Sequence, residues 1–276
     1  MNKYILSFIG FLLLGCTNKK EVNLYYPDGT LHITYTKING IKEGKCTQFY
    51  LSGKIEVEYF FKDDFENGPV TTYYENGNVK VKGQYIWGEP VGSYYYYNET
   101  GKLDSVLELI LWSEENETAF DYLKRDTITK EIVQNAGIYE NAVVIFDENG
   151  KIDMDKSLYY EVSFDPIVRN DSIRFYLSFS NPCEYYGYNC DSIEILTYFN
   201  DNIDNNEFSD EVFSRKNPIH LTGIHNVRKG INFFYAIITL HYDDGIRYIF
   251  IKVPFETGIF ESLEKRKFTP LLHVQS

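Results

Sequence analysis

Basic residues are scarce in this chain. Its 276 residues hold 27 Lys and Arg against 40 Asp and Glu, a formal net charge of −13. Phosphate binding needs a basic face, so this balance argues against a nucleic-acid partner. No apolar run approaches the roughly twenty residues that carry a helix across a bilayer. Catalytic signatures are missing as well: no G-x-S-x-G elbow, no P-loop, no G-x-G-x-x-G fingerprint. His32, His220, His225, His241 and His273 form no HExxH or other close ligand set, so zinc is unsupported and no cofactor is expected. Cysteine (4) and methionine (2) are rare, while Tyr 25, Phe 20 and Trp 2 bring the aromatic share to 17%, which reads as β-rich. Charged residues at 24% and hydrophobic ones at 43% exclude general disorder.

The amino terminus reads as an address. Lys3 is followed by an apolar run, Tyr4 to Leu14, broken by Ser7 and Gly10. That length suits the apolar region of a secretory signal. The run ends in Leu13-Leu14-Gly15-Cys16, which resembles the lipobox of bacterial lipoproteins. The resemblance implies that residues 1–15 are removed and that Cys16 is acylated, which anchors the chain without a transmembrane helix. Residues 16–23 then read as a polar tether. Thr17-Asn18-Lys19-Lys20-Glu21 resembles, with only one acid, the charged tags that export some lipoproteins to the cell surface, so the membrane face stays open.

A repeat follows. Gly29, Gly53, Gly77 and Gly101 are spaced by 24 residues, and Gly44, Gly68 and Gly92 share that period. Tyr25, Phe49, Tyr73 and Tyr97 form an aromatic column; Leu31, Ile55, Val79 and Leu103 form an aliphatic one. Spacing by two inside each unit is the period of a strand face. Pro27-Asp28-Gly29, Ser52-Gly53, Glu75-Asn76-Gly77 and Thr100-Gly101 are turn chemistry. Each unit is therefore one β-hairpin, and units stack edge to edge. A thin ribbon has no deep core, so stacked rings supply the buried area.

Tyr26-Pro27-Asp28-Gly29-Thr30-Leu31 and Tyr74-Glu75-Asn76-Gly77-Asn78-Val79 give the repeat its wording. The region is similar to the MORN repeat in its bacterial variant, over about 24–104. The resemblance implies a hairpin scaffold, with protein and lipid contacts, and some bacterial members are labelled antitoxins. The scaffold positions themselves set none of these roles. Phe146 to Ile152 repeats the Tyr73-to-Val79 wording two periods plus one residue after Gly101; it is a decayed unit or, by preference, another Asn-Gly turn.

Residues 105–140 lose the period and read as a connector, with an apolar run Val106–Trp112 and a helical turn or two in Glu117–Arg125. From 141 to 276, apolar runs broken by turn clusters every ten or so residues suggest a β-sandwich. Ile173, Phe175, Leu177 and Phe179 should face inward. Ile231–Tyr242 and Ile246–Val253 should form a hairpin of central or covered strands. The fold expected is all-β, a MORN-type hairpin ribbon followed by a β-sandwich-like domain. The acidic field belongs to the second part: residues 16–104 carry 10 basic and 12 acidic groups, and 105–276 carry 16 and 28.

Chemistry is thin. Cys183 and Cys190 flank a six-residue loop that a disulfide would clamp in an exported protein; two free thiols are the alternative. Cys46 reads as an unpaired packing residue. Asn200 to Glu211 has the length of an EF-hand loop, but its departures favour a solvated loop. Asp104-Ser105-Val106, Asp126-Thr127-Ile128, Asp171-Ser172-Ile173 and Asp191-Ser192-Ile193 match a periplasmic O-glycosylation site and equally well a turn that opens a strand. The reading is an envelope lipoprotein, by location an outer-membrane one, held by its N-terminal lipid and acting on a protein or glycan partner. An immunity or antitoxin-like protein and a polysaccharide-acting enzyme are the alternatives.

Overall fold

The computed structural model describes residues 18–113, 127–164, 172–180, 192–199, 208–209, 219–226, 230–242, 245–257 and 267–268. Strand residues that alternate apolar and polar, punctuated by turns able to take positive φ, build one long antiparallel sheet first. Its strands are β1 (Lys19–Tyr25), β2 (Leu31–Ile38), β3 (Ile41–Phe49), β4 (Ile55–Lys62), β5 (Phe65–Glu66), β6 (Gly68–Tyr73), β7 (Val79–Ile86), β8 (Glu89–Pro90), β9 (Gly92–Tyr97), β10 (Leu103–Trp112) and β11 (Gly137–Ile145). They lie in the order β1-β2-β3-β4-β6-β7-β9-β10-β11, with β5 beside β4 and β8 beside β7. One-residue register slips fall at Tyr25, Phe49 and Tyr73, the aromatic column, so each unit carries the same bulge.

The sheet has two turn rims. One holds the turns at Gly29, Gly53, Gly77 and Gly101, whose φ values run from +79° to +91°. The other holds two-residue turns at Asn39-Gly40, Asp63-Asp64 and Trp87-Gly88, with positive φ at both positions. Trp87 is the odd member, because a bulky ring disfavours φ +52°. Its ring is recruited into a cluster with Val91, Leu111 and Val133, the last on the short helix α1 (Lys130–Asn135).

Three sequence expectations need correction. The tether at 16–23 is not free chain from Lys19 onward, since β1 pairs with β2 from Lys19↔Ile38 to Asn23↔Thr34. Its polar residues read as linker because an edge strand exposes most of its surface. The ribbon does not end at 104: β10 and β11 extend the same sheet, so most of the described part of 105–140 is ribbon rather than connector. Phe146–Ile152 is a further rank of the ribbon, not merely an isolated turn. The Asp147 amide donates to Lys151 O at 2.8 Å and the Gly150 amide to Asp147 O at 2.9 Å, as the Tyr74 and Gly77 amides do to Asn78 O and Tyr74 O.

The second part is a sandwich. β12 (Tyr160–Phe164), β13 (Ser172–Phe179), β16 (Ile219–Asn226) and β19 (Lys267–Phe268) make one sheet in the order β16-β13-β12-β19. β14 (Ser192–Phe199), β15 (Phe208–Ser209), β17 (Gly230–Tyr242) and β18 (Gly245–Thr257) make the other, β15-β14-β17-β18. Ile173, Phe175, Leu177 and Phe179 do face inward, and they meet Ile195, Phe234, Ile238 and Ile251 of the opposite sheet in one core. Phe234 lies 5.0 Å from Phe175 and 5.9 Å from Phe164 by ring centroids. Each fully buried ring of this kind contributes about 1.5–3 kcal/mol. β17 and β18 form the expected hairpin, with Tyr242 opposite Gly245. β17 is central, whereas β18 is an edge strand whose outer face is covered by the ribbon.

Candidate functional site

The ribbon spends its conspicuous side chains on holding itself together. On the first rim, Tyr26 Oη donates to Phe49 O (2.8 Å), Tyr50 Oη to Tyr73 O (2.6 Å) and Tyr74 Oη to Tyr97 O (2.8 Å). Each tyrosine thus ties its turn to the following one. The fourth and fifth ranks replace the ring by Asn98 and Asp147, whose Oδ1 atoms accept amides of their own turns. Those amide bonds, Lys151 N–H first, hold the Asp147 carboxyl below its usual range. Lys54 Nζ donates to Glu75 O (2.5 Å), and Lys102 Nζ repeats this toward Glu148 O.

One sheet face carries rings. Phe61 lies edge-on to Tyr59 (5.3 Å) and Tyr35 (6.4 Å), with buried Cys46 between β2 and β4. Burial pushes the Cys46 thiol and the Tyr59 hydroxyl up, so neither is an activated nucleophile. Farther along, Tyr94 covers Gly83, where a Cβ would stand 2.4 Å from the ring, and donates from Oη to Gln84 O at 2.6 Å. On the opposite face, Glu58 pairs with Lys45 and accepts from Tyr73 Oη (3.1 Å). The hydrogen bond from Lys45, seconded by Tyr73, lowers the Glu58 carboxyl.

The junction of ribbon and sandwich is the best-built polar site. A register slip in β10–β11 leaves Asn141 outside the ladder, between Glu140 and Ala142. Bulges of this kind re-aim a side chain. Asn141 Oδ1 accepts the Phe250 amide at 2.8 Å, and its Nδ2 donates to Phe250 O at 2.7 Å, so one amide closes the open edge of β18 as a strand would. Nδ2 also donates to Glu108 Oε2 at 2.9 Å, which accepts Tyr160 Oη at 3.2 Å. Burial raises the Glu108 carboxyl, against the lowering from Asn141 and Tyr160. Trp112 and Ile110 pack beside this network on Tyr235, Ile237 and Phe250, with Trp112 5.5 Å from Phe250. Edge and face of the second sheet are therefore both sealed by the ribbon's last strands.

Gly44, Gly68 and Gly92 take φ of +81°, +116° and +83°, beside the second rim. Cys46 is a free, buried thiol. Cys16, Cys183 and Cys190 lie outside the described residues, as do the loop 200–207, the stretch 114–126 and His273. Ser172 and Ser192 open β13 and β14 directly after Asp171 and Asp191, as the strand-opening reading requires, while Ser105 lies inside β10. His32 stacks on Tyr26 at 4.1 Å, and His241 Nε2 lies 3.5 Å from Glu194. Among the described residues no group of three or more His, Cys, Asp or Glu could hold a metal. Sequence reasoning missed Glu108, Asn141 and Tyr160. The signal was a lone acid inside the apolar run Val106–Trp112.

The model of the MORN repeat variant matches residues 42–63 and 66–86. These spans cover β3 to β7, two adjoining hairpin units. No curated protein and no solved structure matches the chain. The matched repeats suggest a binding or structural module.

Proposed function

We propose that the chain is a lipid-anchored, non-catalytic module of the bacterial cell envelope that acts through its surfaces on a protein or glycan partner. The observation that carries this reading is the position of the first strand. The Leu13-Leu14-Gly15-Cys16 box is followed by Thr17, and Asn18 is already tied to the ribbon, its amide on Asn39 Oδ1 at 3.0 Å. An acyl chain on Cys16 would contribute about 0.8 kcal/mol per buried CH₂, and two or more such chains hold a body stably at a bilayer. Almost no slack separates lipid from ribbon, and the junction at Asn141 and Trp112 joins ribbon to sandwich. The anchored object is one stiff body with ringed and rimmed surfaces, which suits display or scaffolding.

Labelling growing cells with radioactive palmitate, followed by fractionation, tests the anchor. Labelled protein in the membrane fraction is expected, and Cys16→Ser should abolish the label while both folded parts persist. A soluble, unlabelled wild-type chain would overturn the reading. Turnover of an envelope glycan or peptide, lost on changing a single carboxylate, would overturn the non-catalytic part.

A further inference from the structure

Tyr26, Tyr50, Tyr73, Tyr74 and Tyr94 donate their hydroxyls inside the ribbon. Tyr35 on β2, Tyr85 on β7 and Tyr96 on β9 do not. Among the described residues their Oη atoms have no hydrogen-bond partner. All three are half-buried, as is Tyr59 on β4. The ladder sets the four on one face. Cys46 stands opposite both Tyr35 and Tyr59, and Thr72 opposite both Val57 and Val81, so β2, β4 and β7 alternate in step. Tyr94 covers Gly83, which brings Tyr96 and Tyr85, each two residues further along, to the same side. The sandwich docks on the other face, since Val106 opposes Tyr95, and Ile110 and Trp112 follow Val106. The apolar cluster under α1 takes in none of the four rings.

The spacing of these rings selects a ligand. Equivalent strands of successive units lie two strand spacings apart, about 9.5 Å. A polyproline II chain repeats every three residues, about 9.3 Å, and leaves its carbonyls free to accept. From β2 to β9 the sheet order counts five spacings, about 24 Å, the reach of about eight such residues. Tyr35 and Tyr59 meet the Phe61 ring at 63° and 66°, which makes ridges rather than the flat platform on which a sugar stacks. The two ends differ in charge. Lys37 directly opposes Lys42, an arrangement that costs a sheet stability, and no carboxylate lies within 4.0 Å of either among the described residues. Lys42 Nζ sits 5.5 Å over Tyr35. At the other end, burial and then the Glu140 carboxylate raise the Tyr96 hydroxyl, and Glu66 stands opposite Phe61 between the ends. We infer that this face seats a proline-rich segment of a protein partner in the polyproline II conformation, its acidic end at Lys37 and Lys42 and its basic end at Glu140. Half-buried rings hold the prolines, and the unused hydroxyls donate to the segment's carbonyls. The inference rests on the reading that the chain acts through its surfaces, and it chooses protein over glycan.

The test titrates the full processed protein, held in mild detergent, into fluorescent probes and follows their anisotropy. The first probe carries three prolines spaced by three between a terminal glutamate and a terminal lysine, made in both orders. The second has alanine for each proline, and the third is a β-linked N-acetylglucosamine oligomer. Saturable binding of a proline peptide alone is expected. Y35F/Y85F/Y96F should weaken it about tenfold or more, with an unchanged unfolding midpoint, because those hydroxyls hold nothing in the fold. K37Q/K42Q should weaken it severalfold, as should high salt on the wild-type chain. Equal binding of the proline and alanine peptides, or binding untouched by the tyrosine variant, overturns the inference. Binding of the sugar oligomer alone overturns the peptide and keeps a glycan-binding module. Binding of no probe overturns the peptide and takes this face out of the proposed function, while the palmitate label tests the anchor separately.

Discussion

The ribbon and the sandwich solve the same problem in opposite ways. The sandwich encloses a core, in which Phe234, Ile238 and Ile251 of one sheet meet Ile173, Leu177 and Phe179 of the other. Every such residue depends on partners from distant parts of the chain. The ribbon has no such centre over β2 to β7. It is held by contacts from each rank to the next, such as Tyr50 to Tyr73 and Lys54 to Glu75. Stability in a stacked array is a sum of unit and neighbour terms, so damage should stay local in the ribbon and spread in the sandwich.

The sharpest separation should come from Phe234→Ala. Its side chain is fully buried between Phe164 and Phe175, and truncation should cost about 3–5 kcal/mol. Urea unfolding should lose the sandwich early while amides of β3 and β4 keep their hydrogen-exchange protection. Simultaneous loss of both would show one cooperative unit and break the comparison.

Asn141→Ala probes the seam between the two. It leaves the Phe250 amide and carbonyl, and the Glu108 carboxylate, without their shared partner. A cost of about 2–3 kcal/mol is expected for orphaned buried groups. The separation of two unfolding transitions should widen, because the covalent link would then carry less coupling. A single transition with an unchanged midpoint would remove Asn141 from the seam.

Within the ribbon, Gly83→Ala should cost about 1–3 kcal/mol, since a Cβ at 2.4 Å must displace the Tyr94 ring and its bond to Gln84 O. Exchange should rise in β7 and β9 and leave β17 unchanged. Elevated exchange in β17 would mean that strain crosses the seam.

How legible these parts were follows from the same contrast. Ribbon units were readable because glycine and ring recur at a fixed spacing, and because each contact joins neighbours in sequence. The ends were not readable. Every residue of β1 but Val22 is exposed, so Lys19 to Asn23 looks like solvated linker until its pairing with β2 is seen. In the fifth rank, Asp147 keeps the backbone bonds that Tyr74 makes but replaces the ring by a carboxylate that accepts amides of its own turn, which erases the repeat from the letters but not from the backbone. The inward row of β13 was plain from alternation. The seam was hidden, since Asn141 and Phe250 are separated by 109 residues and local pattern carries no trace of so distant a pair.

Glu108 gives the seam a pH dependence. Its carboxyl is raised by burial, so the folded state binds the proton more tightly than the unfolded chain does. The stabilisation from this group is complete below the unfolded carboxylate range and is lost as pH rises through the folded value. Glu108→Gln cannot titrate. The stability difference between the two chains should therefore shift toward the variant as pH climbs from 4, by about 1 kcal/mol, the scale of one exchanged hydrogen bond. Denaturant midpoints measured between pH 4 and 8 would show it, and parallel profiles would exclude Glu108 as the titrating group.

The smallest effect tests whether the ribbon is a chain of independent links. Tyr50→Phe removes only the hydroxyl that donates to Tyr73 O at 2.6 Å, and leaves the ring in its column. A cost of about 0.5–1 kcal/mol is expected, with faster exchange confined to the turns at Tyr50 and Tyr73. Tyr74→Phe cuts the corresponding bond to Tyr97 O one rank further on. The two bonds share no donor and no acceptor, so the double variant should lose the sum of the single losses to within about 0.5 kcal/mol. A double loss well beyond the sum would mean that neighbouring ranks reinforce one another along the rim. The ribbon would then melt as a block, as the sandwich does, and the contrast between the two halves would be one of shape rather than of cooperativity.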